Sequence, residues 1–551
     1  MSLANAGIWY APDGYDPKAN GINGRRVAGE SFLRGFFAHA EVEEFVCLTH
    51  GQDSEQHFRN FAARERVRKP IRTVRLEAAA TLAPVEVVNY PSPNYATECW
   101  RRAQWGDSAY AICGVTHTTA TKAIMQGFYD LRAAPQMAWD AVICTSRAVQ
   151  ASVITQMDLA DEFLARRFGG KAPARPLLPV LPLGVNCDDY ARDPEAGQAL
   201  RARLGIAEDE MACAIIARLS PNEKFDPLPL YLALAQAQRR CGTRFHLLLC
   251  GQFRDAYAHK VFIQGAKALM PEVGFHLLDG ADAAQRKAAL SGADIFLFPI
   301  DNVQETFGLG PIEAMAAGLP LIVSDWDGMR DTVTRGVGIR VPTEMPRPEL
   351  TAELGQRYFD GTENYIQYIS QLSAMTRLDN GAMVEALVTL AQNPALRAKM
   401  SRNGLARARQ VYDWSVVIPQ MQALWAEQAA ILASARARGE GHVISALRLP
   451  PAPSPGVFFK AYPSAPPARL DRIYLARPVE ERPDLITCLN LRDYEHNNRM
   501  FESRLRVSAV LKALDTAPEG ATSSQLAKAS GISECAVTRI LYWLMKYDFA
   551  E

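Results

Sequence analysis

Several things are missing from this chain of 551 residues. It has no run of about 18 apolar residues, the length a helix needs to cross a bilayer, so no span is expected. It has no net charge: Lys+Arg and Asp+Glu are 60 each. Without a global field, any binding of nucleic acid or an anionic membrane has to come from a local patch. The ten cysteines show no Cys-x-x-Cys pair and no zinc spacing. Cys113, Cys144, Cys213 and Cys250 sit in apolar runs and read as small core residues of a reducing compartment. The opening Met1-Ser-Leu-Ala-Asn-Ala-Gly-Ile-Trp-Tyr10 lacks the basic and long apolar parts of a secretory signal, so a cytoplasmic location is expected.

What is present is a soluble composition, 48% hydrophobic and 22% charged, in a chain too long for one core. Its most informative stretch is 296–324. Residues 294–299 form a short apolar run that suits a strand buried on both faces. A polar loop follows, then Gly308 and Gly310, and Pro311 at a helix start. A brief helix is expected over 312–317, stopped by Gly318 and Pro320 before a strand from Leu321. This is a strand–loop–helix–strand unit of a parallel α/β sheet, with its loop at the ligand-binding carboxyl edge. The helix start offers amide hydrogens to a phosphate. Glu305 in the loop and Glu313 in the first helical turn offer acceptors for sugar or ribose hydroxyls.

The string Glu305-x-Phe307-Gly308-x3-Ile312-Glu313-Ala314-Met315-Ala316-x-Gly318-x-Pro320 resembles that of family 4 (group 1) retaining glycosyltransferases of the GT-B fold. Three further segments agree. Gly184-Val185-Asn186 resembles the step that ends the first domain of that family, with Leu183 and Asn186 departing slightly. Arg218-Leu-Ser-Pro-Asn-Glu-Lys224 resembles its basic phosphate segment, with Ala217 and Phe225 where glycines are usual. Tyr412-Asp-Trp414 resembles the start of its closing helix. A nucleoside diphosphate gains negative charge as it leaves, and Arg218 and Lys224 are suited to meet it. The resemblance implies that Glu305 contacts the transferred sugar and Glu313 the ribose. It implies that backbone at Phe307, Gly308 and Leu309 takes the phosphates.

In the first half, a strand at 7–11 feeds a glycine loop through Gly21 and Gly24 and a helix over 27–39. The spacing is not Gly-x-Gly-x-x-Gly, so a dinucleotide site is not indicated. In the resembling family this loop lies near the reacting groups; it also reads as a plain strand-to-helix turn. His117 ends an apolar strand, a position open to a structural histidine, and the resemblance places it in the donor site. Arg59, Arg64, Arg66, Arg68, Lys69, Arg72 and Arg75 form a basic patch that suits a solvated face or peripheral contact with an anionic membrane. Asp325-Trp326-Asp327 has the spacing of a metal-holding pair, but Arg218 and Lys224 supply the positive charge, so neither metal nor cofactor is expected.

The expected organisation is α/β. Residues 1–200 form a Rossmann-like acceptor domain and 201–435 a Rossmann-like nucleotide-sugar domain facing it across a cleft. The second domain carries an insertion near 345–380, and its closing helix, 412–435, crosses back. Residues 436–500 read as a proline-rich linker or strap. Residues 501–551 resemble a winged helix-turn-helix, whose near-neutral recognition helix favours an intramolecular or protein contact over DNA. The expected activity is metal-independent transfer of a sugar from a nucleotide sugar to an unidentified acceptor. The alternative is a DNA-binding or scaffold protein that senses a nucleotide sugar.

Overall fold

A computed structural model describes residues 4–16, 24–465, 469, 471–492 and 501–551. Gly21, Pro466 and Pro467 lie outside the described residues. Met1–Pro453 forms one compact unit and Ser454–Glu551 another.

The first unit is built on two six-stranded parallel sheets. The first holds β1 (Gly7–Tyr10), β2 (Phe45–Thr49), β3 (Ile71–Arg75), β4 (Val87–Tyr90), β5 (Ala111–Val115) and β6 (Ala141–Ile143). The second holds β7 (Met211–Ile216), β8 (Phe245–Gly251), β9 (Gly274–Asp279), β10 (Ile295–Phe298), β11 (Leu321–Ser324) and β12 (Gly338–Val341). Their orders are β3-β2-β1-β4-β5-β6 and β12-β11-β10-β7-β8-β9. Each runs outward in both directions from a central pair, β1/β4 or β7/β10, and that reversal opens a crevice at the carboxyl ends of the strands. This is the two-sheet GT-B architecture. The apolar runs are inside as expected: β2, β10 and β11 are buried at every position.

The helices that bear on the site are α1 (Gly24–His39), α2 (Lys122–Ala133), α3 (Arg147–Phe168), α4 (Ala283–Gly292), α5 (Leu309–Ala316), α6 (Ala352–Asp360), α7 (Tyr365–Met375) and α8 (Trp414–Ala437). The 345–380 insertion consists mainly of α6 and α7, with Asn364 and Gln367 forming a capping box at the start of α7. Its turn is pinned by Arg357, which reaches Glu363 at 2.6 Å and Gln371 at 2.9 Å. α5 begins at Leu309, earlier than the sequence suggests. Gly308 takes the left-handed conformation (φ +84°) as its N-cap, so Pro311 lies inside the helix and Glu313 in its second turn. An added Cβ at Gly308 would lie 2.8 Å from Met329 Sδ.

α8 crosses onto the first sheet. The chain reaches it where the Val185 N–H donates to Tyr412 O (2.8 Å) and the Trp414 N–H to Val185 O (3.1 Å). Trp414, Trp425, Ile418 and Leu432 join the core on one face of that sheet. The buried Gln428 Nε2 donates to Ile112 O (3.1 Å) and Trp139 O (2.9 Å), so the donor half of this amide enters the core with partners. Trp414 fills space that glycine leaves open. A Cβ added at Gly35 or Gly184 would lie 2.3 Å or 2.4 Å from its ring.

The second unit packs the helices Arg504–Asp515, Ser523–Ser530 and Glu534–Lys546 around Val507, Leu514, Ile540 and Leu544. Tyr474 belongs to this core, and Ile473–Tyr474 pairs antiparallel with Ala521–Thr522. Residues upstream of 501 therefore contribute structure to the C-terminal unit. The linker reading missed this because a two-residue strand has no periodicity to detect. The 436–444 segment straps onto the first half, with the Ile444 N–H donating to Ala103 O at 2.8 Å.

Trp414→Ala leaves a cavity between α1, the Gly184 turn and α8. It is expected to destabilise the first unit by about 3–5 kcal/mol in a denaturant titration. A loss under about 1 kcal/mol would mean that α8 is not anchored there.

Candidate functional site at the second switch point

The site grows from two loops that leave β7 and β10. After β7 the chain makes a tight turn around Ser220. Its carbonyl accepts the Lys224 N–H (3.0 Å), and its hydroxyl accepts the Glu223 N–H (3.2 Å). After β10, loop 299–308 lies against this turn. Asn302 Nδ2 donates to Asn222 O (2.8 Å), and the Asp226 N–H donates to Asp301 Oδ2 (3.1 Å).

These bonds bring the Lys224 ammonium onto Glu305 Oε2, with both side chains largely out of water. Lys224 also lies over the Phe298 ring, 4.8 Å from its centre. Glu305 Oε1 accepts the Gly308 N–H at 2.9 Å. Burial opposes ionisation of Glu305. The Lys224 charge and hydrogen bond and the Gly308 and Phe307 amides outweigh burial, and they hold the carboxyl below its ordinary range. Glu313 goes the other way. Burial raises it, against the Tyr190 hydrogen bond and the charges of Arg286 and Lys224. Tyr190 donates to Glu313 Oε1 at 2.9 Å. The two glutamates thus differ in kind: one is a fixed anion, the other a carboxyl held less acidic.

The structure brings Lys224, Glu305, Phe307 and Gly308 into one bonded cluster, with Leu309 as the first residue of α5. Glu313 lies within reach of the Lys224 charge. His117, from the first half, joins through its carbonyl, which accepts the Thr306 hydroxyl at 2.7 Å. Arg218 is exposed and stands outside that cluster; its charge is felt by the Tyr365 hydroxyl of the insertion. Gly24 opens α1 in the first half. Two of the three loop amides expected to seat phosphate donate to Glu305. Sequence reading missed Tyr190, Arg286, Thr306 and Asn302. Each acts through a partner distant in the chain, which leaves no local pattern.

The remaining candidates are also partnered. Asp327 (φ +36°) accepts the Ser146 hydroxyl at 2.6 Å, and Asp325 pairs with Arg340 at 3.3 Å. In the basic patch, Arg59 pairs with Glu55 (3.2 Å) and Arg72 with Glu44 (2.8 Å), while Lys69 Nζ donates to Ala40 O (3.0 Å). Arg66 and Arg68 are exposed.

Residues 198–354 match the family model described as glycosyl transferases group 1. Among curated relatives, a phosphatidyl-myo-inositol mannosyltransferase of Mycobacterium leprae is 31% identical over 275 residues, 50% of this chain and 59% of that protein. A D-inositol 3-phosphate glycosyltransferase of Corynebacterium glutamicum is 25% identical over 48% of this chain and 54% of its own. The chain thus spans little more than half the length of these two relatives. Among solved structures, Anabaena HepE in complex with UDP is 16% identical, covering 78% of this chain and 100% of that chain at a TM-score of 0.47. Sucrose-phosphate synthase of Thermosynechococcus elongatus is 18% identical, covering 78% and 100% at 0.48.

Two carboxyls beside the cluster are pushed up to about 7: Asp301 by burial, and Asp327 by burial with the charges of Glu305 and Asp331. Both hold protons that the unfolded chain releases near the ordinary aspartate value of 3.8. Their contribution is therefore full below that value and is lost as pH rises through about 7. Asp327→Asn cannot ionise. Its melting temperature relative to wild type is expected to be higher at about pH 8 than at about pH 5. An unchanged difference between those pH values would refute this assignment.

Proposed function

We propose that this chain is a family 4 retaining glycosyltransferase that moves a sugar from a nucleotide sugar to an acceptor hydroxyl. The observation that carries the reading is the Lys224–Glu305–Gly308 cluster at the switch point of the second sheet. The group 1 match over residues 198–354 and the curated relatives, both glycosyltransferases by name, support it.

The chemistry follows from charge. As the anomeric C–O bond breaks, the diphosphate gains negative charge and the sugar ring becomes electron-poor. Lys224 and Arg218 supply positive charge to the leaving group, and the start of α5 adds its partial charge. Glu305 accepts a hydroxyl of the transferred sugar, while Glu313, held by Tyr190, accepts from the ribose. His117 lies against the sugar from the first half. These fixed cations give the diphosphate its counter-charge without a divalent metal. The acceptor enters over the first sheet.

The alternative, a DNA-binding or scaffold protein, has less behind it. Arg539, the main cation of the helix Glu534–Lys546, is paired with Glu502, and Glu534 accepts the Ser523 hydroxyl at 2.8 Å. Peripheral attachment to a membrane would rest on Arg66 and Arg68. Among the described residues, no helix is long and apolar enough to cross a membrane.

Against a panel of nucleotide sugars, one donor at a hundred times its dissociation constant is expected to stabilise the protein by about 2.7 kcal/mol. With that donor, Glu305→Ala and Arg218→Ala are each expected to lower turnover by about 10²–10³-fold with the circular dichroism spectrum unchanged. Unchanged turnover in both variants would overturn the assignment.

A further inference from the structure

Beside the donor cluster, on the other side of loop 299–308, lies a cavity of about 550 Å³. Its walls come from α2 and α3 of the first half, loop 299–308, the turn after β11, the segment after β12, and the insertion. The volume falls within the range of sites that enclose small organic molecules, roughly 300–1,000 Å³. Val303 forms part of its wall, and Glu305, two residues on, belongs to the donor cluster. Glu305 is also near enough for its charge to act on Asp327, which lines the cavity.

The lining is mixed. Trp326, Phe128 and Tyr368 supply ring surface. Trp326 uses its indole N–H on Asn302 O (3.2 Å), and Tyr368 stacks on Tyr358 at 4.3 Å, so both rings are held in place. Asp327 Oδ1 accepts the Ser146 hydroxyl, Asp325 Oδ1 lies 3.3 Å from the Arg340 guanidinium, and each carboxyl has a second oxygen. Gln156, Ser152 and Arg330 add amide, hydroxyl and guanidinium groups. A lipid chain would strand these polar groups without water. An anion would meet the carboxylates of Asp325 and Glu344. Aromatic faces edged by acceptors and donors fit a neutral ring that carries many hydroxyls.

From this we infer that the cavity holds a neutral, hydroxyl-rich acceptor, a carbohydrate of about disaccharide size, with the insertion forming its outer wall. This rests on the glycosyltransferase reading and adds the acceptor's chemical class. The insertion is fixed to the first half by Lys122. Its backbone N–H donates to Tyr358 Oη (2.7 Å), and its ammonium donates to Phe359 O (2.6 Å). The segment that departs from the family pattern is thus the one that would select the acceptor.

The test uses the full chain with the nucleotide sugar from the thermal-shift panel, and maltose and cellobiose as probes in saturation-transfer NMR. At least one neutral disaccharide is expected to bind wild type. Ser152→Trp, which fills the cavity from the exposed side of α3, and Gln156→Ala are each expected to weaken that binding at least about tenfold, since one lost buried contact of about 1.4 kcal/mol gives that factor. Nucleotide-sugar binding in both variants is expected to stay within about twofold of wild type, well under the tenfold that 1.4 kcal/mol represents. Disaccharide binding unchanged in Ser152→Trp would overturn the inference. So would binding of chitosan disaccharide, the cationic control, without either neutral sugar, or no saccharide binding at all. Loss of nucleotide-sugar binding by wild type would instead remove the enzyme reading, so the two failures are told apart.

Discussion

The arrangement depends on one ion pair largely removed from water, Lys224 with Glu305. A carboxylate in that position would be costly alone, because burial penalises its charge. Three donors compensate: the Lys224 ammonium and the amides of Phe307 and Gly308. To present those amides the loop must turn at Gly308 with positive φ, which only glycine adopts cheaply. To present the ammonium, the Ser220 turn must lie against the same loop, and Asn302 stitches them together. Replacing Lys224 by a neutral residue would strand a buried anion, and the loop conformation would go with it.

The two halves are joined by contacts of two kinds. α8 is apolar and permanent: Trp414 and Trp425 are buried in the first half's core. The contacts around the cleft are polar: Thr306 to His117 O, Ser146 to Asp327, Lys122 to Tyr358 and Phe359 O, and Arg147 to Asp331 (2.8 Å), with the Arg147 side chain 79% exposed. Of these, the exposed Arg147–Asp331 pair contributes about 0–1 kcal/mol. The packing of buried tryptophans contributes several times more. The Arg147–Asp331 pair can therefore break and reform while α8 stays docked.

Much of the fold was legible because parallel strands covered on both faces have no polar side to hide. Residues 211–216, 245–250 and 295–298 read as near-continuous apolar runs, and their strands lie in the second sheet's core. The loop–helix segment was legible because its glycines and proline punctuate it. The start of α5 was misread because Pro311 favours an early helical position, whereas the left-handed Gly308 begins the helix sooner. Partnerships were not legible. Tyr190 meets Glu313 across 123 residues and Lys122 meets Tyr358 across 236, and neither spacing corresponds to any period a sequence displays. The pairing within the basic patch was not legible for the same reason, since Glu44 and Glu55 neutralise Arg72 and Arg59 only after folding.

On the proposed glycosyltransferase reading, the same ion pair would couple the two halves of donor recognition. Glu305 Oε2 and the Lys224 ammonium are each other's partners, while Oε1 stays on the Gly308 amide. A phosphate that draws Lys224 away leaves Oε2 in need of a donor, because a buried carboxylate oxygen without one is costly. A sugar hydroxyl is such a donor. A nucleotide without its sugar would take Lys224 and leave Glu305 short, and a free sugar would have to displace an ammonium to reach Oε2. On that reading only the intact nucleotide sugar would satisfy both ends together. Selectivity for the joined molecule would then follow from exchange within a single ion pair, and Glu313, whose partner is Tyr190, would take no part in that exchange.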